Sequence, residues 1–415
     1  MYTPRIAMVV FSHYPLDVRV RRAAEALAEA GMSVDVICLR DNVEPRKERV
    51  NGVSVYRIKI KRKRGNALRY FWEYGYFMTS AFVKLSILQL IKGYNIVHVH
   101  NLPDILVLSA LFPKICKAHV ILDIHDVMPE VFIRKYGIPA GHNLVKTLQY
   151  LEKLSIKFAD HIIVASPFFR ETLIRRSCSP GKCTTILNLP DPKYFKARKV
   201  HGRGNSDGFK IIYPGTLGEI HGVDIAIKAI GRVVKQTRIP IQFYIYGEGA
   251  KLEKNKLMTL TKNLDLQDVV HFNPKVPAGK LARIYQSMDI GIVPKRDGVH
   301  AKDAMSTKLF EFAAVGLPTI VSRTKADSLY FDESMVTFFE PENESELADC
   351  IVRLYRNPEL RKSLCQQAAL VYRKINWKTE SKKLYAVYDR MLLHHYVFND
   401  IVCIKYMPQG KIRLK

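Results

Sequence analysis

The chain has 415 residues, of which 48% are hydrophobic and 25% charged, and its formal net charge is +26. This length exceeds what one ordinary hydrophobic core supports, so we expect two domains, and the composition is that of a soluble globular protein. The positive charge requires an anionic partner but does not choose between nucleic acid, anionic lipid and a nucleotide-bearing substrate. The seven cysteines show no paired metal-ligand spacing, which predicts free thiols in a reducing compartment.

The first elements predict a Rossmann-like opening. Residues 5–11 form an apolar run typical of a buried strand, 18–30 show a helical pattern, and 33–38 indicate a second strand. The sequence lacks G-x-G-x-x-G between them, which removes the best support for a dehydrogenase. His13 and Asp17 lie in the intervening loop, where substrate contact and the alternative of helix capping or a solvated loop both stay open.

A basic run precedes a long aromatic segment. Six of the eight residues in 57–64 are Lys or Arg, and 68–91 is rich in Tyr, Phe, Leu and Ile. The charged and polar residues within 68–91 argue against a membrane-spanning helix, although the segment is long enough. Two interpretations remain: a buried helix behind a solvated strand end, or a surface that lies against anionic lipid head groups. The start of the chain shows no signal-peptide pattern, so we expect a cytoplasmic protein.

Two strands of the first half end in polar clusters. The strand 96–100 ends in a pair of histidines, but the sequence offers no evident third ligand nearby, so we predict no metal site. A second apolar strand leads directly into Asp123, His125, Asp126 and Glu130. Polar side chains at the carboxyl end of a parallel strand line the crevice where α/β proteins bind ligands. The alternative is a capped strand end with structural salt bridges.

Glycine-rich turns follow two predicted strands of the second half. The first turn holds Gly215, Thr216 and His221, and the second begins at Gly247. Backbone N–H groups in such turns suit the close approach of a phosphate. The alternative is an ordinary connection between a strand and a helix. We expect another buried strand at 288–294, which leads into two basic residues.

The stretch 303–322 predicts the helix and the returning strand of a parallel βαβ unit. Ser306 and Thr307 are N-cap residue types ahead of a short apolar helix, which a glycine ends. Lys308 in the first turn suits a phosphate-bearing ligand. Glu311 shares a helix face with Lys308, and an ionised carboxylate in an apolar helix needs a partner.

This stretch resembles the signature of the GT-B-fold glycosyltransferases of family 4. That signature is an acidic residue, seven residues, Glu, then small residues and Gly-x-Pro, and here Asp303, Glu311 and 316–318 match it. The family usually has Glu first, so Asp303 is a shorter variant. The strand before His125 is similar to the family's strand ending in Thr-x-His. The resemblance covers about residues 5–390 and implies an α/β GT-B fold, with two Rossmann-like domains facing each other across a cleft.

The resemblance also implies roles for individual residues. Three are implied for catalysis, with Glu311 accepting hydrogen bonds from the nucleotide ribose and His125 and Asp303 facing the donor sugar. Nine are implied for donor binding: Gly215, Thr216, His221, Gly247, Val276, Arg296, Ser306, Thr307 and Lys308. Three are implied for acceptor binding: His13, Asp17 and Asp126.

The family's usual diphosphate clamp is missing. The family has Gly-Arg in the first glycine-rich loop and Lys-Gly before the following helix, and here Thr216 and His221 stand in their places. We expect backbone N–H groups of the loop, together with Lys308 and Arg296, to hold the diphosphate instead.

The predicted domains follow from the motifs and the linker composition. Residues 1–195 form an acceptor-binding domain and 209–375 a nucleotide-sugar-binding domain, joined by a polar linker. By the resemblance, a helix at 376–395 crosses back to the first domain. Residues 396–415 form a tail.

The resemblance implies transfer of a sugar, with retention, from a nucleoside-diphosphate sugar to an acceptor hydroxyl of a lipid-linked or polysaccharide precursor. No Asp-x-Asp motif is present, so we expect no metal and no cofactor beyond the donor. The expected location is cytoplasmic, with an anionic membrane surface on the inner face of the cell membrane as a candidate partner. Two alternatives are a nucleotide-sugar epimerase of the same fold and a basic nucleic-acid-binding protein, although no nucleic-acid motif is present.

Overall fold

The computed structural model describes residues 3–60, 67–197, 208–298, 303–397, 404–406 and 412–414. The chain divides into two compact units, of which the first holds Met1–Asn188 and Glu380–Lys415 and the second Leu189–Thr379. The predicted basic residues 61–64, most of the linker 196–208 and most of the tail 396–415 lie outside the described residues.

The first unit is built on an eight-stranded sheet. Its strands are β1 (Arg5–His13), β2 (Ser33–Arg40), β3 (Lys47–Val50), β4 (Val53–Lys59), β5 (Ile96–His100), β6 (His119–Ile124), β7 (His161–Val164) and β8 (Cys183–Thr185). Their order is β3-β4-β2-β1-β5-β6-β7-β8, and all neighbours are parallel except β3 and β4. Because β1 and β7 are buried on both faces along most of their length, they are nearly continuous apolar runs in the sequence, whereas the buried β5 carries His98 and His100.

Helices connect these strands. They are α1 (Val18–Glu29), α2 (Ala67–Lys92), α3 (Leu111–Ile115), α4 (Met128–Tyr136), α5 (Asn143–Phe158) and α6 (Pro167–Arg176), with short 3₁₀ helices at Asp104–Ala110 and Pro180–Lys182. Two helix starts show why the sequence folds this way. The Asp17 carboxylate accepts a hydrogen bond from the Arg19 N–H at 3.2 Å, and the Ser166 hydroxyl accepts one from the Phe168 N–H at 3.2 Å.

The second unit is built on a six-stranded parallel sheet. Its strands are β9 (Phe209–Pro214), β10 (Ile241–Tyr246), β11 (Val270–Asn273), β12 (Ile290–Val293), β13 (Thr319–Ser322) and β14 (Thr337–Phe339), in the order β11-β10-β9-β12-β13-β14. Its helices are α7 (Val223–Gln236), α8 (Lys251–Asn263), α9 (Ala278–Tyr285), α10 (Thr307–Val315), α11 (Glu344–Arg356) and α12 (Pro358–Lys374), with a 3₁₀ turn at Glu219–His221. The observed β12 is shorter than the strand predicted at 288–294.

Close packing fixes the position of α10 over its sheet. A Cβ placed on Gly291 of β12 would lie 2.5 Å from the ring of Phe312, so the missing side chain lets this helix approach the strand. Gly316 ends α10 with a φ of 76°, as the sequence predicts for a left-handed C-cap. The start of α10 is thereby held at the carboxyl edge of the sheet.

The last long helix, α13 (Trp377–Val397), packs into the first unit from Glu380 onward. One carboxylate oxygen of the buried Glu380 accepts a hydrogen bond from the Leu187 N–H at 2.8 Å, and the buried Tyr388 hydroxyl lies 2.8 Å from Nδ1 of His98. Beyond this helix, β15 (Ile404–Tyr406) and β16 (Ile412–Leu414) pair as an antiparallel hairpin. Among the described residues, no helix has both the length and the apolar character needed to cross a membrane.

Candidate functional site

The sheet of the first unit reverses its direction of growth between β1 and β5. From β1 the chain adds β2 and β4 on one side, and from β5 it adds β6 and β7 on the other. The carboxyl ends of strands at such a switch point form the usual ligand crevice of an α/β sheet. This topology brings the predicted residues His13 and Asp17, which end or follow β1, to the same edge as the polar residues of β5 and β6.

Three histidines converge on one carboxylate at this edge. Oδ2 of Asp123 lies 3.1 Å from Nδ1 of His100, 3.2 Å from Nε2 of His125 and 3.4 Å from Nε2 of His98. The rings of His98 and His100 stack at 4.2 Å, and those of His100 and His125 are nearly parallel at 5.7 Å. Two residues of β5 and the end of β6 therefore form one buried polar cluster.

The protonation states in this cluster follow from burial and charge. Burial opposes ionisation of Asp123, but His125 and the hydrogen bonds from His100 outweigh it and hold the pKa of that carboxyl well below its usual range. Burial lowers the pKa of His98 to about 4 and also lowers the pKa of His100, so both are neutral at pH 7. If Nε2 of His125 donates to Asp123, its Nδ1 is left as an acceptor, and that buried atom has no hydrogen-bond partner among the described residues.

The prediction that no third ligand lies near the histidine pair is wrong. Asp123 reaches His98 and His100 from the neighbouring strand, and the potential ligand atoms of these three buried residues all lie within 4.8 Å of one another. The sequence did not indicate this third ligand because Asp123 is more than twenty positions away from the histidines. Parallel pairing of β5 and β6 places it opposite His100. Independence from metal stays a prediction.

The three predicted acceptor-binding residues occupy different surroundings. Asp17 caps α1, and the Arg19 guanidinium at 3.0 Å overcomes the effect of burial and holds the pKa of Asp17 well below its usual range. Nδ1 of His13 lies 3.9 Å from the Glu44 carboxylate. Asp126 follows the end of β6 and is half-buried. The capping alternative for Asp17 is therefore realised, and it does not exclude substrate contact.

Asn101 is a positioning residue that the sequence reasoning missed. Its Oδ1 accepts a hydrogen bond from the His125 N–H at 2.9 Å, and its Nδ2 donates to the Asp126 carbonyl at 2.7 Å and to Oδ1 of Asp104 at 2.8 Å. These contacts fix the turn after β6 against the end of β5. The available signal was its place directly after the last residue of β5, at the same edge as the histidines.

Replacing Asp104 by Asn should make the first unit more stable at alkaline pH. Burial raises the pKa of Asp104 to about 7. Because the pKa of Asp104 is higher in the folded than in the unfolded chain, its protonated form contributes to the unfolding free energy. This contribution is complete below about pH 4 and is lost as the pH rises to about 7. Asn keeps the acceptor for Asn101 and does not ionise. The mutant's advantage in unfolding free energy should grow from near zero at pH 4 to on the order of 2–4 kcal/mol at pH 8.

Denaturant titrations of wild type and Asp104→Asn across this pH range measure the difference. The exposed Asp268 lies in the second unit, and Asp268→Asn should leave the pH dependence unchanged. Parallel stability curves for wild type and Asp104→Asn would contradict the prediction.

In the second unit, the switch point lies between β9 and β12. Two glycine turns meet there, since Gly215 donates its N–H to the Tyr246 carbonyl at 2.8 Å and Leu217 donates to the Glu248 carbonyl at 3.0 Å. A Cβ on Gly247 would lie 1.7 Å from the Gly215 carbonyl oxygen, which no side chain permits. The two loops therefore expose backbone at the carboxyl edge of the sheet, where an anionic group approaches N–H donors most closely.

Lys308 lies directly over this glycine turn. Its Nζ is 5.4 Å from the centre of the Tyr213 ring, and a Cβ on Gly215 would lie 2.6 Å from its Cε. Burial lowers the pKa of Lys308, although the Glu311 carboxylate counteracts this. No carboxylate lies within 4.0 Å of this ammonium among the described residues. Lys308 is thus a desolvated cation at the first turn of α10.

Glu311 has the partner that its position requires. Oε2 of Glu311 accepts a hydrogen bond from the hydroxyl of the fully buried Tyr285 at 2.7 Å. Glu311 itself is only partly buried. Tyr285 comes from α9, more than twenty positions away, and its hydrogen bond orients the Glu311 carboxylate.

Ser306 occupies the N-cap position of α10, as its residue type indicates, but its hydroxyl does not cap the helix. That hydroxyl contacts Oδ2 of Asp327 at 3.0 Å, and the Ser306 N–H donates to Oδ1 at 2.8 Å. The fully buried Asp327 also pairs with Lys295 at 2.9 Å and accepts from the Thr324 hydroxyl at 2.8 Å. An interior ion pair therefore holds the segment before α10 and leaves the helix N-terminus without this side-chain cap.

The remaining predicted donor-binding residues are spread around the same edge. Thr216 is exposed, whereas His221, Val276, Asp303 and Thr307 are partly buried. Arg296 follows β12 and forms two hydrogen bonds with Asp224, at 2.8 and 3.1 Å, and an ion pair with Glu342 at 3.2 Å. A diphosphate would therefore have to compete with the carboxylates of Asp224 and Glu342 for the Arg296 guanidinium.

Family models match both units. A model described as "Glycosyl transferase 4-like domain" matches residues 16–188, and one described as "Glycosyl transferases group 1" matches residues 208–357. The chain belongs to the group 1 glycosyltransferases. The predicted family and fold class, a GT-B glycosyltransferase with two parallel-sheet domains, are confirmed.

The similarity of this glycosyltransferase to curated relatives spans from about half to most of its length. It is 22% identical to the D-inositol 3-phosphate glycosyltransferase of Paenarthrobacter aurescens over 88% of this chain and 90% of that protein. Its matches to five other relatives of the same name span 45–57% of their lengths.

Solved structures share the fold of this glycosyltransferase. Sucrose-phosphate synthase from Thermosynechococcus elongatus has a TM-score of 0.76 at 18% identity, covering 94% of this chain and all of that one. Anabaena Alr3699/HepE, in complex with UDP and glucose, has a TM-score of 0.69 at 12% identity, covering 92% and 99%.

Proposed function

We propose that this glycosyltransferase transfers a sugar from a nucleoside-diphosphate sugar to an acceptor hydroxyl. The observation that carries the proposal is the desolvated Lys308 ammonium over the Gly215 turn, with Glu311 one turn further along α10. A partly buried ammonium with no carboxylate within 4.0 Å among the described residues suits a diphosphate, and a fixed carboxylate suits the paired hydroxyls of a ribose. The crystallised complex of the structural neighbour HepE with UDP and glucose supports this donor class.

The reaction requires stabilisation of the leaving group. The acceptor oxygen forms a bond to the anomeric carbon, the bond from that carbon to the diphosphate oxygen breaks, and the acceptor proton passes to the departing diphosphate or to solvent. Negative charge therefore builds up on the diphosphate in the transition state. Lys308, the N–H groups at the start of α10 and the backbone of the Gly215 and Gly247 turns would stabilise it.

The other predicted residues bind the donor sugar and the acceptor. We expect Nδ1 of His125, which has no hydrogen-bond partner among the described residues, to accept from a donor-sugar hydroxyl. Asp303 keeps its predicted role toward the donor sugar. His13, Asp17 and Asp126 bind the acceptor. We propose retention of the anomeric configuration, and an acceptor that belongs to a lipid-linked or polysaccharide precursor at the cytoplasmic face of the membrane.

A donor screen tests the proposed function. Purified protein is incubated with individual nucleoside-diphosphate sugars, with and without lipid-linked acceptors, and nucleoside diphosphate release is measured. We expect acceptor-dependent release that persists in EDTA, because Lys308 and helix N–H groups supply the positive charge. NMR of the product should show the donor's anomeric configuration. Absence of release with every donor would reject the proposal, and conversion of the donor sugar without an acceptor would indicate an epimerase.

A further inference from the structure

One face of α2 is buried and the opposite face is apolar but exposed. The buried face packs on the sheet through Phe77, Ala81, Leu85 and Leu88. The exposed face, here termed the α2 outer face, consists of Trp72, Tyr76, Val83, Ile87, Leu90 and Ile91, each at least 49% accessible. At 3.6 residues per turn these six positions fall within an arc of about 100° and extend about 28 Å along the helix. The segment is thus a partly buried helix of the first unit, and its contact with lipid stays a prediction.

The neighbouring segment adds further apolar surface. The 3₁₀ helix Asp104–Ala110 and α3 pack beside α2, and on them Leu111 and Ile115 are 45% and 68% accessible. Single exposed apolar residues are ordinary, but a row of this length on adjoining elements marks an interaction surface. A tryptophan and a tyrosine at one end of the row are the residue types that favour the boundary between water and lipid.

Lysines stand beside this apolar surface. The ammonium groups of Lys47, Lys84 and Lys92 lie 5.4, 5.3 and 5.2 Å from the centre of the Tyr56 ring. Lys92 pairs with Asp35, whereas within the parts of the chain that the structure describes no carboxylate lies within 4.0 Å of Lys47 or Lys84. Cations gathered without matching carboxylates favour an anionic partner.

The basic run 57–64 does not contribute its first residue to a lipid-facing surface. Arg57, its first residue, is buried, donates to the Tyr14 carbonyl at 3.0 Å, and pairs with Glu44 and Glu48. It is a structural residue of β4 and no part of a lipid-facing surface. The residues 61–64 lie outside the described part, and the described surface consists of α2, its neighbouring segment and the lysines around Tyr56.

We propose that the α2 outer face binds the surface of an anionic lipid bilayer. Its aliphatic side chains would enter the acyl boundary, Trp72 and Tyr76 would lie among the head groups, and Lys47 and Lys84 would meet lipid phosphates. A second copy of the chain is a poorer occupant, because it would bring together two lysine sets and two net charges of +26. The inference rests on the proposed function in one respect: the enzyme would meet a lipid-linked acceptor at the bilayer to which this face binds.

Tryptophan fluorescence gives a direct readout. The chain has two tryptophans, so Trp377→Phe leaves Trp72 as the only emitter. We expect its emission to shift to the blue with vesicles of phosphatidylcholine and phosphatidylglycerol, and to be quenched by lipids brominated near the head group. Vesicles of phosphatidylcholine alone should give a weaker effect, and added salt should reduce binding.

Vesicle sedimentation compares two variants with matched controls. Trp72→Ser/Ile87→Ser/Leu90→Ser should lower the partition coefficient at least about tenfold. Lys47→Gln/Lys84→Gln should lower it about fivefold per lysine. The controls make the same changes at exposed positions of the second unit: Leu252→Ser/Met258→Ser/Leu370→Ser and Lys251→Gln/Lys254→Gln. Thermal melting confirms that all four proteins are folded.

The outcomes separate this inference from the proposed function. Wild-type vesicle binding by the serine variant would overturn the bilayer assignment. Concentration-dependent dimers that the serine variant abolishes, without vesicle binding, would assign the face to a second copy instead. Salt-sensitive binding to RNA but not to vesicles would also overturn it. Nucleoside diphosphate binding should be unchanged in every variant, and its absence from wild type would count against the enzyme but not against the membrane surface.

Discussion

Lys308→Met should weaken nucleoside diphosphate binding by about 10- to 150-fold, because a hydrogen bond to a charged group is worth about 1.5–3 kcal/mol. Methionine retains an apolar stem over the Tyr213 ring while it removes the ammonium. Burial lowers the pKa of Lys308, so the charged form is disfavoured in the unliganded fold. Removing the charge should therefore leave the melting temperature unchanged or higher, a sign that the residue serves binding at a cost in stability.

Isothermal titration calorimetry with nucleoside diphosphate measures the affinity. The exposed Lys254 provides the control, and Lys254→Met should bind as wild type does. Affinity should also depend less on salt in Lys308→Met than in wild type, since one cation is missing from the site. Wild-type affinity in Lys308→Met would remove Lys308 from the phosphate site and leave the helix N-terminus, the glycine turns and Arg296 as its candidate donors.

Glu311→Gln should separate ligand binding from folding. The amide oxygen of Gln still accepts the hydrogen bond from Tyr285, so the unliganded protein should melt near the wild-type temperature. The neutral amide loses charge-assisted acceptance from the ribose hydroxyls, which should weaken binding by at least about tenfold. At a ligand concentration 100 times the wild-type Kd, ligand stabilisation should fall from about 2.7 to about 1.4 kcal/mol or less.

Thermal shift assays with and without nucleoside diphosphate measure this difference. Asp303→Asn is the matched comparison, because we expect Asp303 to contact the sugar and its variant to impair transfer more than binding of the sugar-free nucleotide. Tyr285→Phe should give a smaller loss of affinity than Glu311→Gln, since it frees the carboxylate without removing it. Full ligand-induced stabilisation and full turnover in Glu311→Gln would make Glu311 a structural carboxylate.

Local patterns predicted most secondary structure of the described chain. The helix predicted at 18–30 ends one residue earlier, at Glu29. The strand predicted at 288–294 is shorter in the structure, because strand ends depend on which backbone groups of a neighbour are available for pairing. An apolar run in the sequence indicates buried residues, and buried residues continue beyond those that form hydrogen bonds with a neighbouring strand.

Partners outside the local pattern decide what the side chains of Ser306 and Arg57 contact. Ser306 has the side chain of an N-cap, but Asp327 lies within reach and forms stronger, buried hydrogen bonds. Arg57 belongs to a basic run, yet the β-hairpin partner strand brings Glu48 beside it. In both cases the local propensity is real, and a long-range charge outweighs it.

The sequence by itself determined the α/β class, the positions of the glycine turns and the spacing of Asp303, Lys308 and Glu311, because these depend on residue periodicity and on conformations that few residues adopt. Only the tertiary structure decided which side chains meet. Parallel pairing places Asp123 beside His100, and the packing of α9 against α10 brings Tyr285 to Glu311. Contacts of this kind join residues more than twenty positions apart, and their free energy depends on burial and distance, which no local pattern records.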